Sequence, residues 1–130
     1  MSERSLLLDT CALIWLSSDA AELSEQTRTA INVADTVWVS AISAWEISLK
    51  VARETLELPL EPGAWFDRAM DHHHLSLAAL DVNVLVAANA LPWHHRDPAD
   101  RFIIATARSL GAAVVTADRK FEQYDVMVLR

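Results

Sequence analysis

The sequence predicts an α/β fold: a parallel sheet with helices covering both faces. Three observations predict it. Short leucine-rich or β-branched runs of strand length alternate with longer helical segments along all 130 residues. An apolar content of 52% with 22% charge belongs to a globular chain that can bury a core. The length suits a single domain spanning residues 1–130, and no repeat, low-complexity tract or linker divides it.

Ser5–Leu8 is an apolar run of strand length, and Thr10–Ser17 follows as a helix carrying Leu13, Ile14 and Leu16. Ser24 opens a second helix to about residue 33, with Glu25 near its start. Thr36–Ser40 (TVWVS) is β-branched and aromatic, hence a strand. Ala41–Ala52 is helical and ends before the break at Leu58 and Pro59. Pro62 suits the first turn of a helix over 62–73. A short third strand is expected at 75–77. Residues 81–90 form an amphipathic helix with Val82, Leu85 and Val86 on one face. Residues 91–97 are a loop, and Pro98–Leu110 is a helix stopped by Gly111. The last strands are expected at 113–116 and 126–129.

Composition excludes several functions. A net charge of −7 argues against a non-specific nucleic-acid binder, although an enzyme that holds its substrate through metal ions is less constrained. The acidity also leaves room for a basic partner protein. No apolar run reaches the ~18 residues of a membrane span. MSERSLLLDT lacks a signal-peptide layout, and the single Cys11 cannot form an internal disulfide; both suit a reducing cytoplasm. Cys11 reads as a small buried filler rather than a nucleophile. Gly63 and Gly111 are the only glycines, so neither a P-loop nor a dinucleotide fingerprint is available.

Four acids stand where elements meet: Asp9 in LLLDT, Glu46 in AISAWEISLK, Asp100 in RDPADRFIIATA and Asp118 in AAVVTADRKF. A carboxylate beside a core is costly unless its charge is compensated, and a divalent cation is one such partner. Asp9 at a strand end also fits a helix cap, and Asp118 fits a turn. Glu46 shares a helical face with Ile42 and Leu49, although a pair with Lys50 is the plainer reading. Asp97, Pro98 and Asp100 form a helix-start signal in which Asp97 is the cap. Asp100 lies on the apolar side, next to Ile103 and Ile104. If the first strand and AAVVT are sheet neighbours, Asp9 and Asp118 emerge side by side at the C-terminal edge, where open α/β folds bind ligands. The four then read as an Mg²⁺ or Mn²⁺ site for phosphoryl chemistry. Asp9 and Asp100 are the expected direct ligands, with Glu46 and Asp118 completing the site or orienting water.

Supporting candidates surround these acids. Thr10 follows Asp9, and Thr116 can hydrogen-bond a carboxylate or a metal-bound water. His94, His95 and Arg96 are candidates for phosphate contact or leaving-group assistance, against a plain polar loop. Arg101 and Arg119 adjoin two acids and are candidates for substrate binding or charge balance. His72, His73 and His74 point different ways on a helix and make a poor metal site. Trp15 and Trp45 border the expected cleft as a surface for a partner segment, or else sit in the core.

LLLDTCALIWL, AISAWEISLK, HHRDPADRFIIATA and VVTADRKF, in this order, resemble the four motifs of the PIN-domain family, and within it the ribonuclease toxins usually called VapC. The resemblance covers essentially the whole chain. It places the family's acids at Asp9, Glu46, Asp100 and Asp118. Ala99 departs from the aromatic residue expected between Pro98 and Asp100, which bears on local packing. The resemblance implies a PIN-like three-layer fold with a sheet of about five parallel strands between helices. It also implies Mg²⁺- or Mn²⁺-dependent endonucleolytic cleavage of RNA, inhibition by a cognate antitoxin, and a homodimer. The alternative is a non-catalytic PIN-like module that binds RNA or protein. A receiver domain or a dehalogenase-like phosphatase fits less well: Asp9 stands alone in its segment, and Cys11 takes the place of a second acid.

Overall fold

The computed structural model describes residues 4–130. In chain order the elements are β1 (Ser5–Leu8), α1 (Thr10–Ser17), α2 (Glu25–Val33), β2 (Thr36–Ser40), α3 (Ala41–Ala52), α4 (Pro62–His72), β3 (Ser76–Ala78), α5 (Val82–Ala90), α6 (Pro98–Leu110), β4 (Ala113–Val115) and β5 (Val128–Leu129). A 3₁₀ helix, Arg119–Gln123, joins β4 to β5.

The strands form one parallel sheet in the order β3-β2-β1-β4-β5. β1 is central, with Leu8 beside Val39 on one side and Val115 on the other. Strand side chains alternate between two cores. Leu7 and Val114 face α5 and α6, where they meet Ile103, Ile104 and Phe121. Leu6, Leu8, Val37 and Val39 face the other way, toward Leu13, Ile31, Ile47 and Phe66. Two helical layers therefore sandwich the sheet, and the PIN-like α/β architecture expected above is the one observed.

Helix starts follow local chemistry. Asp9, Ser24, Ser40, Glu61, Asp81 and Asp97 each cap a helix by accepting a backbone N–H through the side chain. Gly111, at φ 66, ends α6 in the left-handed conformation that glycine adopts without a Cβ penalty.

Several details differ from expectation. β5 covers only Val128–Leu129 of the expected 126–129, since the Val126 N–H turns back to Tyr124 O. β3 begins one residue later, because Leu75 N–H still bonds to Met70 O at the end of α4 and His74 turns the chain at φ 54. The apolar face of α5 points outward: Val82, Leu85 and Val86 are 73%, 39% and 65% exposed, while Val84 and Ala88 pack inward. On the inward side Arg101 reaches the Ala88 carbonyl. Cys11 is exposed, since the first turn of α1 turns it away from the sheet.

Candidate active site

β1 and β4 deliver Asp9 and Asp118 from adjacent strand ends, and α3 and α6 bring Glu46 and Asp100 against them. All four line one cavity of ≈ 200 Å³, together with Thr10, Cys11, Trp15, Lys50, Asp97 and Ala117. Lys50 is the one cation among these lining residues. Asp9 both caps and faces the site: Oδ1 accepts the Ala12 N–H at 2.8 Å, and its backbone N–H bonds to Val115 O.

Each acid is held by a neighbour. The Thr10 hydroxyl donates to Glu46 Oε1 and lies 2.9 Å from Ser43 Oγ. Thr116 hydrogen-bonds the Asp9 carboxylate, and its Oγ1 accepts the Asp118 N–H at 3.1 Å. Asp118 Oδ1 caps the 3₁₀ helix through Lys120 N–H at 2.9 Å. His95, 6% exposed, sets its Nε2 2.9 Å from both Asp100 Oδ2 and Asp118 Oδ2. Its Nδ1 accepts the Asp97 N–H at 3.3 Å, so Nε2–H is the donor that ties the two carboxylates together. The His95 backbone N–H is anchored by Tyr124 Oη at 2.7 Å. Among the described residues, His95, Asp100 and Asp118 are the group whose ligand atoms all lie within 4.8 Å of one another.

The electrostatics carry the mark of uncompensated acids. Burial, then the charges of Asp97, Glu46, Asp9 and Asp118, push the Asp100 carboxyl up to about 8. Burial raises Asp9 against the hydrogen bonds from Thr116 and Ala12. Burial raises Glu46 against the hydrogen bond from Thr10. For Asp118 burial acts upward too, but the Lys120 N–H and His95 outweigh it and hold the carboxyl below its ordinary value. Cys11, at the cavity lip, has its thiol raised by burial and by Asp9, which disfavours a thiolate nucleophile. Hard carboxylate oxygens whose charge lacks a protein partner fit Mg²⁺ or Mn²⁺.

This predicts a pH dependence. Folded, metal-free Asp100 keeps its proton to about pH 8, against an ordinary value of 3.8. Across that window the folded state binds more protons than the unfolded one, so stability falls as pH rises. Asp9 and Glu46 act in the same direction. Asp118 acts oppositely, contributing stability that is lost as pH falls through its depressed value. The melting temperature of EDTA-treated protein is expected to fall between about pH 5 and 8, and the rise on adding Mn²⁺ to widen over the same range. A flat profile with no growing Mn²⁺ effect would show that the carboxylates do not compete for protons and metal.

Not every expected site residue reaches the cavity. Arg101 is 2% exposed and cannot contact a substrate, contrary to expectation. Its Nη1 donates to Pro92 O at 2.9 Å and His95 O at 3.0 Å; Nη2 donates to Ala88 O at 2.6 Å and Leu91 O at 2.9 Å. Its guanidinium also lies 3.5 Å from the Trp93 ring centroid. Arg101 therefore supports the loop that carries His95. Arg96 and Arg119 are exposed, and His94 packs edge-on against Tyr124. Asp97 caps α6 and also borders the cavity. His72 and His73 stack edge to face, away from the acids. Trp15 lines the cavity, and Trp45 stands exposed beside it. Ser43 and Tyr124 are supporting residues that sequence reasoning missed; both act through contacts distant in sequence.

Known proteins resemble the chain in sequence and in fold. The chain is 32% identical over 121 residues to ribonuclease VapC22 of Mycobacterium tuberculosis, a match that covers 92% of each protein. The fold matches the crystal structure of VapBC2 from Rickettsia felis bound to a promoter DNA fragment, with TM-score 0.73 at 14% identity, covering 96% of this chain and 97% of that one. It also matches FitAcB from Neisseria gonorrhoeae, with TM-score 0.67 at 22% identity and 96% of each chain covered. The PIN-domain family model matches residues 6–127, and on that match and the VapC22 relationship the chain belongs to the PIN-domain family.

Proposed function

We propose that the chain is a metal-dependent endoribonuclease, the toxin of a toxin–antitoxin pair, and that a cognate antitoxin inhibits it. One observation carries this reading: four acids from four separate segments converge on a single cavity in a PIN-domain chain related to a ribonuclease.

Asp9 and Asp100 would hold Mg²⁺ or Mn²⁺ directly, and Glu46 and Asp118 would complete the site or orient water. A bound ion would supply an activated water and neutralise phosphate charge. Thr10 fixes Glu46, and Thr116 links Asp9 to the Asp118 backbone. His95 sets the spacing of Asp100 and Asp118 by donating to both. Neighbours that lock site carboxylates in this way maintain metal geometry. The exposed Val82, Leu85 and Val86 strip of α5 suits a homodimer contact.

The test is incubation of antitoxin-free protein with total cellular RNA in Mn²⁺, in Mg²⁺ and in EDTA. Discrete fragments are expected with either metal and none with EDTA. Intact RNA with folded, metal-loaded protein would favour the non-catalytic binding module instead.

A further inference from the structure

Beyond Glu46 the cavity wall continues into a second space. A groove of ≈ 390 Å³ runs between α3 and the start of α6, lined by Trp45, Leu49, Arg53, Pro98 and Ala99 among others. Glu46, Lys50 and Asp97 line both spaces, so the groove opens directly beside the acids. Trp45, Leu49 and Arg53 follow one another at four-residue intervals and form one row along α3. Lys50 stands in the next row, four residues after Glu46. Ala99 offers only a methyl group to the floor, and a larger side chain there would occupy the space.

This wall has an aromatic face and two cations. Trp45 is 58% exposed, although it adjoins a candidate site acid. Neither Lys50 nor Arg53 forms an ion pair with a described residue. In a chain of net charge −7, Lys50 at the edge of the acidic cavity and Arg53 farther along the groove mark where an anionic chain can approach. An indole face bordered by cations matches the pattern of single-strand recognition, in which bases stack on aromatic rings and phosphates meet Lys or Arg.

We propose that the groove is a base-stacking subsite for a single-stranded RNA nucleotide adjacent to the scissile phosphate, with Trp45 as the platform and Lys50 and Arg53 holding the flanking phosphate. The proposal rests on the nuclease reading and adds a direction to it: the substrate strand leaves the acids along α3. Duplex RNA, whose bases are paired and stacked internally, has no free base for Trp45.

The test separates binding from chemistry. Fluorescein-labelled single-stranded oligouridylate is titrated with the full chain carrying Asp100→Asn, so that the probe survives, and fluorescence anisotropy is read. Adding Trp45→Ala is expected to weaken binding by about 5- to 150-fold, the range for losing one stacked base. Trp45→Phe keeps a ring and is expected to retain most of the affinity, which also controls for folding. Lys50→Gln with Arg53→Gln is expected to flatten the dependence of affinity on salt. With Asp100 intact, Trp45→Ala is expected to raise KM for cleavage and leave kcat near that of the parent. Equal oligouridylate affinity with and without Trp45 would overturn the subsite, whether or not the parent cleaves RNA. Loss of antitoxin binding in Trp45→Ala with unchanged RNA affinity would also overturn it and assign the groove to the protein partner. Trp45-dependent binding by a parent chain that cleaves no RNA would uphold the subsite and sink the nuclease reading.

Discussion

Asp100→Asn is expected to abolish metal-dependent RNA cleavage and to leave the metal-free fold at least as stable as the parent. The two effects share a cause. Asp100 sits with its side chain only 19% exposed, among Asp97, Glu46, Asp9 and Asp118, and its carboxyl is raised to about 8. That cluster is unfavourable without a cation and useful with one. An amide keeps the shape and an oxygen that can accept from His95 Nε2, but it removes the charge that attracts the metal. Losing an outer partner of a metal site typically costs ~10–100-fold, so loss of a direct ligand should exceed ~100-fold. Cleavage of labelled RNA, Mn²⁺ titration by calorimetry and melting in EDTA would check the three parts. Asp97→Asn makes the contrast, because Asn caps a helix nearly as well as Asp and Asp97 is exposed; it should retain much more activity. If Asp100→Asn melted well below the parent in EDTA, the carboxylate would be a structural group and its place in the metal site would fall.

The acids were legible because each stands at a place with local chemistry. Asp97, Pro98 and Gly111 mark both ends of α6, and Asp100 follows from the position of that helix. Asp9 and Asp118 stand just past β1 and β4, which are neighbours because the sheet is doubly wound with β1 at its centre. The plainer readings of these residues also held: Asp9 caps α1 and lines the cavity at once, because a carboxylate has two oxygens. What stayed hidden depends on tertiary direction. Periodicity placed Val82, Leu85 and Val86 on one face of α5 but could not say which way that face turns. In His94-His95 the sequence holds no sign of which ring is buried; Tyr124 and the Asp97 N–H decide it. Cys11 looked apolar by its neighbours, yet one helical turn carries it to the cavity lip. The 3₁₀ helix is too short for a periodic signal, although it buries Phe121 completely.

Arg101→Ala is expected to destabilise the protein by about 3–5 kcal/mol, because hydrogen bonds from a charged group contribute about 1.5–3 kcal/mol each and several are lost together. On the scale for domains of this size that lowers the melting temperature by on the order of 10–20 °C. An arginine beside a site acid invites a role in substrate binding, and its position settles the matter otherwise. Its terminal nitrogens satisfy the carbonyls of Ala88, Leu91, Pro92 and His95, at the end of α5 and along the loop that follows. Removing the side chain takes the guanidinium away from the buried Ala88, Leu91 and His95, while Pro92 O keeps the Tyr124 hydroxyl, and it frees the loop that places His95 between Asp100 and Asp118. Activity should therefore fall along with stability, although Arg101 touches no substrate. Arg101→Lys should restore little, because an ammonium has three donors on one atom and cannot span acceptors that a planar guanidinium reaches with two nitrogens. Thermal melting beside RNA affinity separates the roles. A phosphate-binding arginine would lose affinity at an unchanged melting temperature, whereas a clamp loses the melting temperature first. Cooling the variant until it is fully folded should then recover RNA affinity, since Lys50 and Arg53, the cations that line the groove, remain in place.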